Sequence, residues 1–494
     1  MDAAFLDQLQ QWNEEDNFQA IIDAMEALPQ EELTPNLVSD LARAYNNLAR
    51  PEDRHLFHRA IKLLRSVEDE FPGDHCWNFR MAYAYYYLDQ EGPALHYFEK
   101  ALEGRPGDQD TLEFIEDCRR RLALPMGLKP FRQRVLEGWA SFWQGEEELR
   151  RLLDRKDREV ISEEVIAKCS QLLSPVFEDA AFELGRNGEK YELILTPEGD
   201  RARLFKLVYF QRRAPKALLE QWKVQVGRSR SSGFGLRMYG QDVSAADAQV
   251  WVEKLENQLV GLSIYCEKLL PLLRENENQA YNLMTILLDQ AIGELPAIRY
   301  VDYMDLLDAP KEGDSIAPDQ LAGYIEGEID PEGWASASDP ETACQRYTAY
   351  QIQPSQEEDQ YLREDVFVGV TTCPPLINTY YRGEDSLMDN FHQDGAVPGF
   401  LYYPQDGIDK KDVLDLRDAL ENAILEQAGE DCVTFTGGAT GVQYGYLDFI
   451  AWDLKATLDA AALALTKLPM KEAAFHTFRR DVPGICLKRE EEAE

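Results

Sequence analysis

The chain has 494 residues, a net charge of −39 and 44% hydrophobic residues. That length allows roughly two to four domains, and that much apolar content can fill real cores, which excludes a disordered chain. So acidic a balance opposes non-specific binding to nucleic acid and to anionic membrane surfaces, because both need a positive field; the simplest reading is a solvated acidic surface on a bacterial-type cytosolic protein.

The opening residues MDAAFLDQLQQWNEED carry early acids and no apolar run, so no secretory leader is expected. No window approaches the ~18 apolar residues of a membrane span. The eight cysteines are scattered without CxxC spacing, and the six histidines form no HxxxH or HExxH. Reduced, mostly buried thiols are expected in place of disulfides or a zinc site, no cofactor or metal is called for, and a cytoplasmic setting follows.

The N-terminal quarter contains one pattern written twice. Ala60, Leu64, Val67 and Pro72 return 34 residues later as Ala94, Phe98, Ala101 and Pro106. In the helix before each of these, Ala42 and Tyr45 return as Ala82 and Tyr85 at an offset of 40. The extra residues fit around Arg50-Pro51-Glu52-Asp53, where proline ends one helix and begins the next. Ala20, Ala24 and Ala27 supply the small positions once more, 40 residues ahead of Ala60.

This small–large–small–proline pattern resembles the tetratricopeptide repeat family. The resemblance covers residues 1–125 and implies three stacked helix pairs, about the minimum for a stable array. A capping helix with Leu112, Phe114, Ile115 and Cys118 on its apolar side would close it. In that family the first helices of the pairs line a groove for an extended peptide or a partner helix. Carried over by position, the groove residues are Asn36, Arg43, Asn46 and Asn47 from the second pair, and Phe79, Arg80, Tyr83, Tyr86 and Tyr87 from the third. Asn amides suit a peptide backbone, Arg suits a carboxylate, and Tyr gives rigid contact area. The competing reading is that the tyrosines pack against the next helix and the polar groups are only solvated. The family's Lys and Asn pattern for terminal carboxylates is not reproduced.

Residues 126–310 predict an α+β domain. Pro125 to Pro130 is a breaker-rich linker, and a helix from Phe131 places Val135, Trp139, Phe142 and Trp143 on one side. The period then changes to two over Ala181–Leu184, Lys190–Leu195 and Leu204–Phe210, which predicts an antiparallel meander with turns at Asn187-Gly188 and Pro197–Asp200. Strands are expected at 223–226, 259–266 and 298–304, and a strongly apolar helix at 279–292 ended by Gly293. Between Arg201 and Gly240 lie ten basic residues and one acid. Arg212, Arg213, Arg228, Arg230 and Arg237 are therefore the candidate face for an anion or an acidic partner, set against the alternative of internal neutralisation.

Residues 311–494 predict a second α+β domain or a continuation of the first. Strands are expected at 347–352, 366–372 and 399–403, and an amphipathic helix at 412–427. The run Cys432 to Gly441 is glycine-rich, but a strand follows it and no Lys-Ser/Thr is present, so a tight turn or hairpin is expected in place of a phosphate cradle. His392 and His476 are the candidate general bases, with Asp389, Asp394, Asp448 and Asp453 as partners, yet no nucleophile motif accompanies them.

The sequence thus predicts a multidomain chain, an all-α helical repeat followed by an α+β region. The function expected is non-catalytic protein–protein interaction with a protein or peptide partner; a membrane partner is not expected and nucleic acid is disfavoured. The alternative is a hydrolase or transferase with its site in the C-terminal half and the repeats as a recruiting arm.

Overall fold

The computed structural model describes residues 3–29, 32–88, 90–123, 129–155, 158–231, 235–355, 361–405 and 412–489. Among these, an N-terminal helical region precedes an α+β region, with nineteen α-helices and fifteen strands in all. The chain divides into two compact units: Met1–Arg132, Tyr350–Gly369 and Leu376–Glu494 form the first, and Gln133–Ala349 with Val370–Pro375 the second.

The first unit begins with α1 (Ala3–Glu14), α2 (Phe18–Glu26), α3 (Pro35–Leu48), α4 (Arg54–Arg65), α5 (His75–Tyr87), α6 (Glu91–Gly104) and α7 (Gln109–Ala123). Local chemistry starts these helices: Asn17 and Asp74 accept backbone N–H groups as N-caps of α2 and α5, and Pro35 opens α3. Each helix packs on the next, and α3 also meets α5. Ala42, Ala60, Ala82, Ala94 and Ala101 are fully buried, so the backbones approach closely where the pattern has small residues. Two hydrogen bonds join residues 34 apart, Asn46 Nδ2 to the Arg80 carbonyl and Arg54 Nη2 to the Leu88 carbonyl. In α2 the buried face is Ile21, Ile22 and Met25, one position on from the expected alanines. On α7, Ile115 and Cys118 are buried and Phe114 stacks on Phe98, while Leu112 faces solvent.

The second unit contains α8 (Phe131–Leu153, from Gln133 onward), α9 (Arg158–Leu173), β1 (Phe182–Asn187), β2 (Lys190–Leu195), α10 (Arg201–Arg212), β3 (Trp222–Val226), β4 (Gly235–Met238), β5 (Gln241–Ser244), β6 (Ala248–Lys254) and β7 (Val260–Cys266). It continues with α11 (Leu270–Glu275), α12 (Glu277–Ile292), α13 (Glu294–Tyr300), β8 (Val301–Leu307), α14 (Leu321–Glu328) and α15 (Pro340–Gln345). Two three-stranded sheets share one topology. In each an antiparallel pair (β1–β2, β6–β7) is followed by a helical crossover to a parallel strand (β3, β8).

The expected meander is corrected here. Its first two strands pair as predicted, but Leu204–Phe210 is the helix α10. Asp200 is the N-cap, accepting from Ala202 N and Arg203 N, where a hairpin turn was expected. Leu204 through Phe210 are all buried, so the helix has no polar face and its apolar run carries no helical period. Two smaller differences follow: Trp143 is exposed while Val135, Trp139 and Phe142 are buried, and α13 occupies the start of the strand expected at 298–304.

The chain then completes the first unit with β9 (Thr348–Gln351), β10 (Val366–Thr371), α16 (Pro374–Arg382), α17 (Ser386–His392), β11 (Val397–Pro404), α18 (Val413–Ala428), β12 (Val433–Gly441), β13 (Tyr444–Ala451), α19 (Leu454–Leu465), β14 (Glu472–Thr477) and β15 (Ile485–Arg489). These strands form one sheet in the order β15-β14-β11-β13-β12-β10-β9. Leu401, Leu447 and Phe449 bury one face of it with Leu420 and Ile424 of α18 and Ala461 and Leu465 of α19. The alternate residues Phe400, Tyr446 and Asp448 surround Arg363, which is fully buried and bonds both Asp448 oxygens. The glycine-rich run lies inside β12, and the hairpin turn follows at Val442-Gln443. A Cβ at Gly438 would stand 2.4 Å from the Tyr446 carbonyl oxygen and 2.9 Å from Arg417 Cδ, so close packing requires glycine there.

Candidate functional site

On α3, Arg43, Asn46 and Asn47 share one face through their i, i+3, i+4 spacing; on α5, Cys76, Phe79, Arg80 and Tyr83 do the same. The two faces meet in a groove of about 260 Å³ lined by these residues and His75. Six of the nine predicted groove residues are thereby brought together: Arg43, Asn46, Asn47, Phe79, Arg80 and Tyr83.

Their chemistry differs. Arg80 Nη1 donates to Ser39 Oγ at 2.6 Å and Nη2 to Asp40 Oδ1 at 2.9 Å, so this guanidinium ties α5 to α3. Arg43 stands 3.6 Å from the same Asp40, makes no hydrogen bond among the described residues, and is 35% exposed. Asn46 is 3% exposed; its Nδ2 donates to the Arg80 carbonyl at 2.9 Å, and its Oδ1 is buried with no donor among the described residues. Phe79 meets Phe98 and Phe114 edge-on, and Tyr83 meets Phe114, so the aromatic floor is braced from behind. Burial, then the bond to Tyr87, raises the Tyr83 phenol well above its ordinary value.

Three predicted residues do not line this groove. Asn36 is exposed in the first turn of α3. Tyr86 donates to Asp117 at 2.6 Å and accepts from Arg121 at 2.8 Å, which fastens α7 to α5. Tyr87 stacks on Phe57 with ring centroids 5.4 Å apart. Both tyrosines are engaged in packing, though not against the next helix: Tyr86 lies against α7 and Tyr87 against Phe57 of the preceding α4. His75 and Cys76 were missed; the same helical spacing, run one turn toward the N-terminus from Phe79 and Arg80, identifies them.

The basic island is not one open face. Arg228 bonds Glu183 and Asp289 and lies 3.5 Å from Glu294, whose Oε2 accepts its backbone N–H. Arg212 pairs with Glu341 at 3.1 Å and Arg237 with Asp242 at 2.9 Å. Arg213 stacks on the Tyr209 ring and donates to the Tyr209 carbonyl. Arg230 is exposed. Glu183, Asp289, Glu294 and Glu341, distant in sequence, supply most of the counter-charges, which a window of local composition cannot display. Asp289 is the perturbed member: burial and the Glu294 charge push its carboxyl up to about 7 against the opposing pull of Arg228.

Neither histidine meets a carboxylate. Both His392 ring nitrogens are buried with no hydrogen-bond partner among the described residues, and burial with the nearby Arg479 charge holds this imidazole well below its ordinary pKa. The His476 nitrogens lie 2.7 Å from the Thr477 carbonyl oxygen and 2.8 Å from that of Val482. Three of the four expected partners are engaged elsewhere: Asp389 by Arg479, Asp448 by Arg363, and Asp453 as the N-cap of α19. Among the described residues no cluster of His, Cys, Asp and Glu is placed to hold a metal ion, and no helix is long and apolar enough to cross a membrane.

No family model, curated protein or solved structure matches the chain.

Proposed function

We propose that α1 to α7 are tetratricopeptide-like hairpins and that the chain is a non-catalytic cytosolic interaction protein. In this reading the α3–α5 groove holds an extended segment of a partner protein. The observation that carries the reading is the meeting of the α3 and α5 faces in one groove of about 260 Å³. Asn47 is exposed there, and its amide offers both a donor and an acceptor to the backbone of an extended segment. Phe79 and Tyr83 offer the aromatic surface on which a side chain of the segment would rest. Arg43 leaves its donors for a carbonyl or carboxylate of the same segment.

The test is peptide display on the full chain, followed by titration of the selected peptides. Arg43→Ala and Tyr83→Ala should each weaken binding by about tenfold, or ~1.4 kcal/mol, with helix content unchanged. Peptides that bind both variants as tightly as the parent would remove the groove from consideration.

A further inference from the structure

The second unit concentrates unanswered positive charge at three arginines. Arg201 opens α10, Arg299 lies on α13 and Arg346 follows α15. Arg201 Nη2 donates to the Arg346 carbonyl at 3.1 Å. Arg346 Nη1 donates to the Arg299 carbonyl at 3.1 Å, and its Nη2 to the Asn257 carbonyl at 2.9 Å. Arg299 Nη2 meets Asp330 at 2.8 Å, while its Nε is buried without a partner. Each arginine thus holds the backbone of the next, or is held by it, and the three stay together.

The charges do not balance. Asp330 is the one carboxylate in the chain of contacts, and it also serves Tyr300 and the Gly333 N–H. Among the described residues Arg201 and Arg346 donate only to carbonyl oxygens, which satisfy donors without cancelling charge. On α15 and its cap, Glu341 is paired by Arg212, while Asp339 accepts from the Thr342 N–H and hydroxyl and, among the described residues, makes no ion pair with any of the three guanidinium groups. The other titratable neighbours of Arg201 include the thiols of Cys344 and Cys373, and burial pushes the Cys344 thiol up, so it adds no negative charge near neutrality. Burial also pulls Arg201 and Arg346 below the ordinary guanidinium range, and each feels a neighbouring guanidinium. Arg201 and Arg346 are partly buried and the Arg299 side chain keeps 12% of its surface exposed, so all three have lost part of their water and still reach solvent. Three guanidinium charges against one carboxylate leave an excess of two, in a chain whose net charge is −39.

We propose that Arg201, Arg299 and Arg346 form a binding site for a small tetrahedral oxyanion of the phosphate or sulfate class. A dianion matches the excess of two charges, which a carboxylate would half cancel. Guanidinium groups suit it because their planar forks donate in pairs to adjacent oxygens. The site is independent of the α3–α5 groove and of the peptide reading.

The test is thermal unfolding of the full chain at low ionic strength, titrated with inorganic phosphate, sulfate and glycerol 3-phosphate in separate arms. Potassium chloride at matched ionic strength is the control. A saturable rise in midpoint with phosphate or sulfate, absent with chloride, is expected; the phosphomonoester arm tells an ester ligand from the free ion. Arg201→Met and Arg346→Met should each weaken the apparent affinity at least tenfold, and Arg346→Lys should lie between. Without anion, both Met variants should melt at or above the parent midpoint, because repulsion is relieved. Broadening of the phosphorus resonance of inorganic phosphate by the parent chain, reversed by sulfate, is a reading that needs no variant. A phosphate response that never departs from chloride, or persists in both Met variants, overturns the site.

Discussion

Asp289 lies near the C-terminal end of α12, 2% exposed, with the Arg228 guanidinium 3.0 Å from its Oδ2 and the Glu294 charge beside it. Its carboxyl moves from an ordinary 3.8 to about 7. Between those values the folded chain keeps a proton that the unfolded chain has lost, so this group's contribution to stability is fully present below about pH 4 and declines as pH rises toward 7. The slope approaches about 1.4 kcal/mol per pH unit for one proton. Unfolding of the parent and of Asp289→Asn across this range is the check: the difference between them should fall with rising pH and level off above 7. A difference independent of pH would mean that Arg228 holds the carboxylate ionised throughout. The same scale separates Asn46 from Arg80 in the groove, since one keeps an unanswered oxygen and the other is consumed by Asp40.

At the scale of the element, the small residues of α4 and α6 decide how closely the helix pairs approach. Ala94 has no exposed surface, and Gly92 two residues earlier leaves no room for a Cβ beside Asp389 and Arg479. Ala94→Leu should therefore overpack α6 and cost about 1–3 kcal/mol, whereas Leu112→Ala, on the exposed face of α7, should stay within ~0.5 kcal/mol. Chemical denaturation of both variants compares them directly, and equal effects would mean that the Ala94 site relaxes freely. Element by element, periodic segments were readable and aperiodic ones were not. The strand expected at 399–403, the strand expected after the glycine-rich run and the helix expected at 412–427 are present as β11, β13 and α18. Helix α10 did not, because burial on every side erases the polar face from which helical spacing is recognised.

At the scale of the molecule, the first unit joins the N-terminal helices to a sheet that begins more than two hundred residues later. Arg479 Nη2 donates to Asp389 at 2.6 Å directly beneath Gly92 of α6, and Gln90 Nε2 reaches Gln393 at 3.3 Å. Removing one partner of a buried ion pair costs about 3–5 kcal/mol because the other is left uncompensated. Arg479→Met should therefore speed backbone hydrogen exchange in α5 and α6 and in β11 and β14 together. Faster exchange confined to the strands would show that the helices and the sheet open separately.

The sequence by itself determined the spacing of the N-terminal helices, the burial of Ala60 and Ala94, and six residues of the groove, because repeat period and helical spacing are local properties. It also carried the mixed α+β character of the remainder. The pairing of Arg228 with acids far along the chain, the removal of Tyr86 and Tyr87 into packing, the burial of both candidate histidines and the gathering of Arg201, Arg299 and Arg346 were decided only in the tertiary structure. Each depends on which distant residue arrives at hydrogen-bond distance, and charge and burial are sums over neighbours that no single stretch of chain contains.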